Sequence, residues 1–192
     1  MPDYLNPPLL GQRWKSVPGR AVFPALLIAI ALSLNACTTP PRTTGAVPIE
    51  GYHHTSAGIV RFSGNGNGGQ NIGPHQGGGS QNCCVGLPVK WQPGLQVVVE
   101  WVKDPDPFGY ATWPEKLFSK EWTERMNASR SEYTRHRAVV DVAPYEKLGG
   151  VDVHFLPCDQ VKVSAGIYSP GHAKHPYDFP SRMQEPTTCP TP

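Results

Sequence analysis

The sequence predicts a mainly β domain, either a single antiparallel sheet or a sandwich, with one inserted helix and disulfide bonds as braces. Three observations lead to this prediction: short apolar stretches that alternate with period two, one stretch with helical period, and four cysteines downstream of residue 37. Residues 51–192 are long enough for one domain with its own core. The Pro- and His-rich stretch from Ser169 onward is expected to be a loose C-terminal tail.

Alternation of apolar and polar residues, enriched in β-branched types, marks five strands. In the stretch VDVHFL, the apolar residues point one way, while Asp152 and His154 point the other way. This alternation is typical of a sheet with one buried face, so His154 is expected at the surface or in a hydrogen bond. The short stretch PCDQ that follows predicts a hairpin. The predicted strands cover residues 59–62, 95–102, 138–142, 151–156 and 161–165.

One stretch has a helical pattern instead. Pro114 precedes EKLFSKEWTERM, in which Phe118, Trp122 and Met126 recur every fourth residue. Proline is favoured in the first turn of a helix, so we predict a helix over residues 114–126. Its apolar stripe is most simply a surface that faces the core, and a face that binds a partner is the alternative.

A glycine- and asparagine-rich stretch, residues 64–82, interrupts the strand pattern. We expect a long hairpin loop, because glycines permit positive φ. A phosphate-binding loop is not expected, because the Lys and Ser/Thr residues that complete such a motif are missing. His75 lies in this loop and is, with Phe118 and Trp122, a candidate for partner binding.

Four cysteines follow Cys37. In an oxidising compartment an even number of cysteines predicts disulfides, and four allow three pairings. A bond between adjacent Cys83 and Cys84 is sterically awkward, so we expect each to reach a distant partner, with Cys158 and Cys189 as the candidates. A zinc site is the less favoured alternative, because the sequence contains no C-x-x-C spacing.

The N-terminal residues have the layout of a secretory signal peptide. Arg13, Lys15 and Arg20 supply positive charge, and the following residues 21–34 are uncharged and mostly apolar. This apolar run has the length of a signal-peptide core and is shorter than the roughly 20 residues of a membrane-spanning helix. Residues 1–36 are therefore predicted to be removed from the mature protein.

The four residues LNAC that end at Cys37 resemble the bacterial lipobox. This resemblance implies cleavage before Cys37 and lipid attachment to its thiol, and Thr38 in the next position implies sorting to the outer membrane. An ordinary secretory signal that happens to precede a cysteine is the alternative. The Thr/Pro-rich residues 37–50 would form a tether. We therefore expect a lipid-anchored protein on the periplasmic side of the outer membrane.

Composition and motifs narrow the function. Acidic and basic residues balance over residues 37–192, and the basic residues are scattered, so no nucleic-acid partner is expected. The sequence contains neither G-x-S-x-G nor H-E-x-x-H, so no catalytic residue and no enzyme activity are predicted. His53–His54 and the pair His172 and His175 have the side chains for metal binding. Their Gly/Pro-rich surroundings favour solvated histidines, so neither a metal nor a cofactor is predicted.

Five segments together resemble a bacterial lipoprotein family known as domain of unknown function 3304. They are GYHHT at 51–55, GGGSQNCCVGLP at 77–88, a V-x-V-x-W strand that ends at Trp101, VHFLPCDQVKV at 153–163 and PGH at 170–172. The resemblance covers most of the mature chain. It implies a periplasmic lipoprotein similar to those found beside type VI secretion lipase effectors, which would bind the toxin and block its active site.

Two functions follow from these observations. The first is an immunity protein that neutralises a secreted phospholipase-type toxin, which fits the anchor, the lack of catalytic motifs and the family resemblance. The second is a structural or assembly lipoprotein of the cell envelope, which needs the same anchor. For the first, we expect partner contacts in the loop of residues 64–82 or in the helix of residues 114–126.

Overall fold

A computed structural model describes residues 42–190, which fold into eight β-strands and one α-helix in a single compact unit. The two predicted segments before them, the signal peptide and the lipidated Cys37, lie outside the described residues. No helix in this range is long and apolar enough to cross a membrane. The elements are β1 (Thr44–His53), β2 (Gly58–Gly64), β3 (Asn67–Gly69), β4 (Asn82–Pro88), β5 (Gln96–Asp104), α1 (Lys120–Ser129), β6 (Thr134–Asp141), β7 (Val151–Phe155) and β8 (Val161–Ser164).

The strands form two four-stranded sheets. In the first sheet the order is β4-β1-β7-β8, and in the second it is β3-β2-β5-β6. All neighbouring pairs are antiparallel except β1 and β7, which are parallel. The fold is therefore mainly β with antiparallel pairing dominant, as the sequence predicts.

The core lies between the sheets and takes side chains from both. Ile49 and Val153 from the first sheet and Val99 and Trp101 from the second are all buried in one cluster. In β5, the buried residues Val97, Val99 and Trp101 alternate with more exposed ones, as expected for a sheet with one face on the core, whereas all five residues of β7 are buried. Residues 42–190 thus enclose their own apolar core.

Five strands lie where the sequence predicts them: β2, β5, β6, β7 and β8. The hairpin prediction is also confirmed, because β7 and β8 are antiparallel neighbours. Two longer strands, β1 and β4, were not predicted. The predicted tether of residues 37–50 overlaps β1, which begins at Thr44. The strand accommodates Pro48 because this residue falls at an irregularity in the β1–β4 register, where its missing N–H is tolerated.

The helix prediction is correct in kind and wrong at its start. Helix α1 begins at Lys120, because Ser119 caps it by accepting a hydrogen bond from the Trp122 N–H, 3.2 Å away. Phe118 precedes the cap with a φ of 63° and so lies outside the helix. No residue of α1 is buried, so the prediction that its apolar stripe faces the core is wrong.

The disulfide pairing also differs from the expectation. Cys83 pairs with its neighbour Cys84, and Cys158 pairs with Cys189, 31 residues away. The expectation that Cys83 and Cys84 would each reach a distant partner, because a bond between neighbours is sterically awkward, is therefore wrong. The bond between Cys83 and Cys84 is cis, and their Cα atoms are 3.1 Å apart.

The C-terminal segment, residues 169–190, is called the strap here, because it crosses β1 and β7 instead of extending into solvent. The Met183 N–H donates to the His54 carbonyl at 3.0 Å, and the Ser56 N–H donates to Glu185 Oε1 at 2.8 Å. The Cys158–Cys189 disulfide fastens its far end. The expected loose tail is thus a covering layer without regular secondary structure.

Candidate functional site

The three residues predicted to bind a partner lie in two neighbouring segments. Phe118 and Trp122 belong to residues 105–133, called the insertion here, which joins β5 to β6. His75 belongs to the glycine segment, residues 65–81, which joins β2 to β4. The structure brings Phe118 and Trp122 into contact with each other, with ring centres 5.3 Å apart.

Both segments are rooted at the same end of the domain. The last residue of β5, Asp104, pairs with Gly58 at the start of β2. The His75 N–H donates to the carbonyl of Thr55, which lies in the turn between β1 and β2, at 3.1 Å. The end of the domain where β1 finishes therefore carries all the predicted partner-binding residues.

The insertion exposes large apolar side chains. Phe118 is 77% exposed, and Phe108, Leu117 and Tyr110 are also exposed. Its only α-helix within the described residues, α1, buries none of its residues. An exposed apolar surface of this kind is typical of an interaction site, because water contact with it is unfavourable.

A small set of contacts orders the insertion internally. The Arg125 guanidinium lies 4.9 Å above the Trp113 ring and 3.0 Å from Glu115 Oε1. The Trp113 and Trp122 rings have centres 6.2 Å apart. These contacts fix the aromatic side chains and leave Trp113 and Trp122 half-buried and Phe118 exposed.

The Phe118 backbone is in a conformation that a bulky residue rarely adopts. Its φ of 63° lies in the left-handed region, which costs an ordinary L-residue about 1–2 kcal/mol. The side chain held this way points out of the fold and is 77% exposed. Strain at a residue that contributes nothing to the core suggests a role in binding.

The glycine segment packs against the end of β1 and leaves a cleft of about 440 Å³ between them. Gly77 forms an isolated bridge with Tyr52, and a Cβ on Gly77 would lie 2.6 Å from the Tyr52 Cα. The segment can approach β1 this closely because it carries glycine there. His75 lines the cleft with a φ of 55°, and its Nδ1 has no hydrogen-bond partner among residues 42–190.

A buried histidine cluster lies between the sheet and the strap and is formed by His54, His154 and the strap residue His175. His54 Nδ1 is 2.7 Å from the carbonyl oxygen of Pro180. Because a carbonyl only accepts, Nδ1 carries the proton, and neutral His54 then accepts at Nε2 from the Nδ1–H of His154, 3.0 Å away. In this arrangement His154 Nε2 keeps a lone pair that has no partner among the described residues.

Aromatic rings surround His154 on several sides. Tyr52 stacks on it with ring centres 5.1 Å apart, and Phe179 and Tyr177 of the strap approach edge-on. Burial lowers the pKa of His154 to about 3, and the neighbouring His54 and His175 act in the same direction. His154 is thus hydrogen-bonded, as one of the two expectations had it, but it is not at the surface.

Ser164, His175 and Asp152 meet at the edge of this cluster. His175 Nε2 is 3.0 Å from Ser164 Oγ and 3.4 Å from Asp152 Oδ2. In a catalytic triad the two ring nitrogens serve the serine and the carboxylate separately, whereas here both face Nε2. Ser164 is also only 1% exposed, so its hydroxyl cannot meet a substrate. The three residues hold the strap on the sheet.

Burial governs the protonation of the acid in this group. Burial raises the pKa of Asp152 to about 6, and the nearby His175 opposes that rise. His53 is also buried, and burial lowers its pKa to about 4. Its Nε2 lies 2.8 Å from Thr55 Oγ1, and its ring meets Phe155 edge-on.

The histidine pairs picked out in the sequence do not act as pairs. His53 and His54 make separate contacts, while His172 stacks on Tyr168 in an exposed position and His175 is buried. Within residues 42–190, no group of three His, Cys, Asp or Glu residues is arranged to hold a metal ion. The expectation of solvated histidines is therefore wrong for three of these four.

Sequence reasoning missed the meeting of His54 with His154, which lie 100 residues apart. The one available signal was the HHT motif close to an alternating strand that contains a histidine. It also missed the aromatic residues Tyr177 and Phe179, because the strap has no periodic pattern.

Comparison with known proteins gives one match. The model of a family described as "Protein of unknown function (DUF3304)" matches residues 52–163, which include the histidines of β1 and β7, the glycine segment and the insertion. No curated protein and no solved structure matches the chain.

Proposed function

The chain belongs to the DUF3304 family, whose description assigns no activity, and we propose that it is a periplasmic lipoprotein that binds and neutralises a secreted phospholipase-type toxin. The anchor would be lipid on Cys37, which follows the lipobox-like residues LNAC. The neutralising contact would be made by the insertion, with Phe118 and Trp122 at its centre.

The exposed apolar surface of the insertion is the observation that carries this proposal. Phe118 is 77% exposed in a strained conformation, and Trp122 packs against it without being buried. Aromatic side chains dominate the binding energy of protein interfaces, because they bury a large area at a small entropy cost. A surface of this type favours a protein partner.

The direction of the chain supports the same proposal. The described chain enters at Arg42, beside the start of β1, and the insertion is rooted near the end of β1. A strand of 10 residues spans about 33 Å at 3.3 Å per residue. With the lipid only five residues before Arg42, the insertion would be held away from the membrane, where an incoming toxin is accessible.

The test begins with a pull-down by residues 38–192, made under oxidising conditions, from cells that secrete their own effectors. We expect stoichiometric capture of a phospholipase and loss of its activity in the complex. Recovery of envelope components without a lipase would contradict the proposal and favour the structural role.

Phe118→Gly then separates binding from folding. Glycine adopts positive φ without strain, so the free energy of unfolding should stay the same or rise by up to about 1 kcal/mol. Loss of the phenyl ring should weaken toxin binding at least tenfold, as expected when an aromatic side chain at the centre of an interface is removed. Isothermal titration calorimetry measures the affinity, and urea unfolding measures the stability.

Ile167→Ala is the matched control. Ile167 is 51% exposed and follows β8, near the end of the domain where β1 begins. Its replacement should leave both affinity and stability unchanged. The insertion would not be part of the interface if Phe118→Gly bound the toxin as tightly as wild type, or if Phe118→Gly and Ile167→Ala lost the same affinity.

A further inference from the structure

The cleft between β1 and the glycine segment has the size of a ligand-binding site. Its volume is about 440 Å³, within the roughly 300–1,000 Å³ typical of small-molecule sites. Tyr52, His53 and His75 line it together with side-chain amides and hydroxyls. The proposed interface at Phe118 uses none of these residues.

The lining of the cleft is polar but uncharged. None of the described residues that line it is Asp, Glu, Lys or Arg. Burial lowers the pKa of His53 to about 4 and lowers that of His54, so both rings are neutral near pH 7. A charged ligand would lose its hydration there without meeting an opposite charge, which is unfavourable.

The backbone groups at this edge of β1 are already used. The His53 N–H donates to the Gln76 carbonyl at 2.7 Å, and the Gly78 N–H donates to the Gly51 carbonyl at 3.4 Å. A peptide that binds by adding a strand needs free main-chain groups of this kind. The cleft therefore offers side chains more than backbone to a ligand.

Those side chains both donate and accept hydrogen bonds. Gln70, Asn71 and Gln76 carry amides, and Ser80 and Ser181 carry hydroxyls. The Gln70 amide donates to Asn82 Oδ1 at 3.0 Å, which fixes its orientation and leaves its oxygen available to a ligand. A side-chain amide can donate a hydrogen bond to a ligand hydroxyl through its NH₂ group or accept one through its oxygen.

We propose that the cleft binds an uncharged saccharide of one or two rings. Sugar hydroxyls both donate and accept hydrogen bonds, so they match the side-chain amides and hydroxyls of the lining. The glycines of the glycine segment allow a sugar ring to approach the backbone closely. This site is independent of toxin binding through the insertion.

NMR spectroscopy of ¹⁵N-labelled residues 38–192 tests the proposal. The probes are maltose, cellobiose and di-N-acetylchitobiose, with glucose compared against charged glucosamine and glucuronic acid. We expect saturable shifts confined to residues 51–54 and 70–80 with at least one uncharged probe, and weaker or no shifts with the charged sugars. Absence of saturable shifts, shifts elsewhere, or equal binding of charged sugars would overturn it.

Variants of the lining sharpen the test. Asn71→Ala and His75→Ala should each lower the affinity for the bound saccharide by up to about tenfold, the effect of one lost hydrogen bond. Gln92→Ala removes an exposed amide outside the cleft, in the turn between β4 and β5, and should have no effect. Unchanged affinity in both lining variants would overturn the assignment. Phe118→Gly should bind the saccharide normally, so failure of the toxin proposal leaves this result distinct.

Discussion

The histidine cluster and the insertion invert the usual distribution of polar and apolar groups. His54, His154 and His175 are polar and buried, whereas Phe118 and Leu117 are apolar and exposed. Most of the domain follows the ordinary rule, with Val, Ile and Phe residues inside. The two exceptions differ in their surroundings: the buried histidines are covered by the strap, whereas the apolar side chains of the insertion stay exposed to solvent.

This difference predicts where mutations act. Changes at the cluster should cost stability, because its rings are buried and joined to one another and to the strap by hydrogen bonds. Changes in the insertion should cost binding, because its apolar surface meets only water in the free protein. The predictions below test that division, from the largest expected effect on stability to the smallest.

The strap should depend strongly on its covalent closure. Replacing both Cys158 and Cys189 with serine opens a loop with a sequence separation of 31, which should lower the free energy of unfolding by about 3.5 kcal/mol. Urea unfolding under oxidising conditions measures this. The control is the double replacement of Cys83 and Cys84, which closes almost no loop and should cost about 1 kcal/mol on the same argument. Equal losses in the two variants would contradict loop closure as the cause.

His154→Ala should lower the free energy of unfolding by about 3 kcal/mol. The variant leaves a cavity among rings and removes the hydrogen-bond partner of His54. His172→Ala, at an exposed position, should change the stability by less than about 0.5 kcal/mol. Similar values for the two variants in urea unfolding would show that the cluster contributes no more than a surface histidine.

Acid should destabilise the domain, because burial lowers the pKa of His154 to about 3 and that of His53 to about 4. Below pH 6.5 these histidines are protonated in the unfolded chain and stay neutral in the folded chain. The free energy of unfolding therefore falls as the pH drops from 6.5 towards 4, by up to about 1.4 kcal/mol per pH unit for each histidine. Asp152 opposes this, because its raised pKa of about 6 lets the folded state bind a proton first. Because the pKa values of two histidines are strongly lowered and that of only one carboxyl is raised, we expect the free energy of unfolding to fall by about 2 kcal/mol between pH 7.5 and 5.

Urea unfolding at several pH values measures this loss. His154→Gln should have a shallower pH dependence than wild type, because it removes one of the titrating groups, and His172→Gln should match wild type. A stability that stays flat or rises on acidification would contradict the assignment of neutral buried histidines.

Removal of the insertion should have the smallest effect on stability. Replacing residues 105–133 with Asn-Gly would leave a three-residue turn, Asp104-Asn-Gly, between the paired residues Lys103 and Thr134. The free energy of unfolding should change by less than about 1 kcal/mol, because shortening a loop lowers its closure cost and α1 contributes no buried residue. Toxin binding should disappear. Unfolding of this variant would show that the insertion belongs to the core of the fold.

The sequence contains a clear signal for strands β2 and β5–β8, because their apolar residues alternate and face one shared core. It contains a weak signal for β1, in which Gly45, Pro48 and Gly51 interrupt the pattern. The pairing of β1 with both β4 and β7 overrides this poor local preference. Tertiary contacts of this kind cannot be derived from one strand alone.

The candidate site was predictable in part for the same reason. Phe118 and Trp122 stand out in the sequence as aromatic residues with helical spacing, although spacing does not show that they are exposed. The contact of His54 with His154, and the cover from Tyr177 and Phe179, join segments that are far apart in the chain. The parallel pairing of β1 with β7 brings the two histidines together, and the folded path of the strap adds Tyr177 and Phe179.

The central place of β1 has a mechanical consequence. β1 lies between β4 and β7 and follows directly from residues 42 and 43, so a pull on the N-terminal side of the chain acts along the strand. The ladder hydrogen bonds to both neighbours run across that direction. They are therefore loaded together in shear instead of being unzipped one at a time. The domain should resist extension best along the direction in which a tethered protein is pulled.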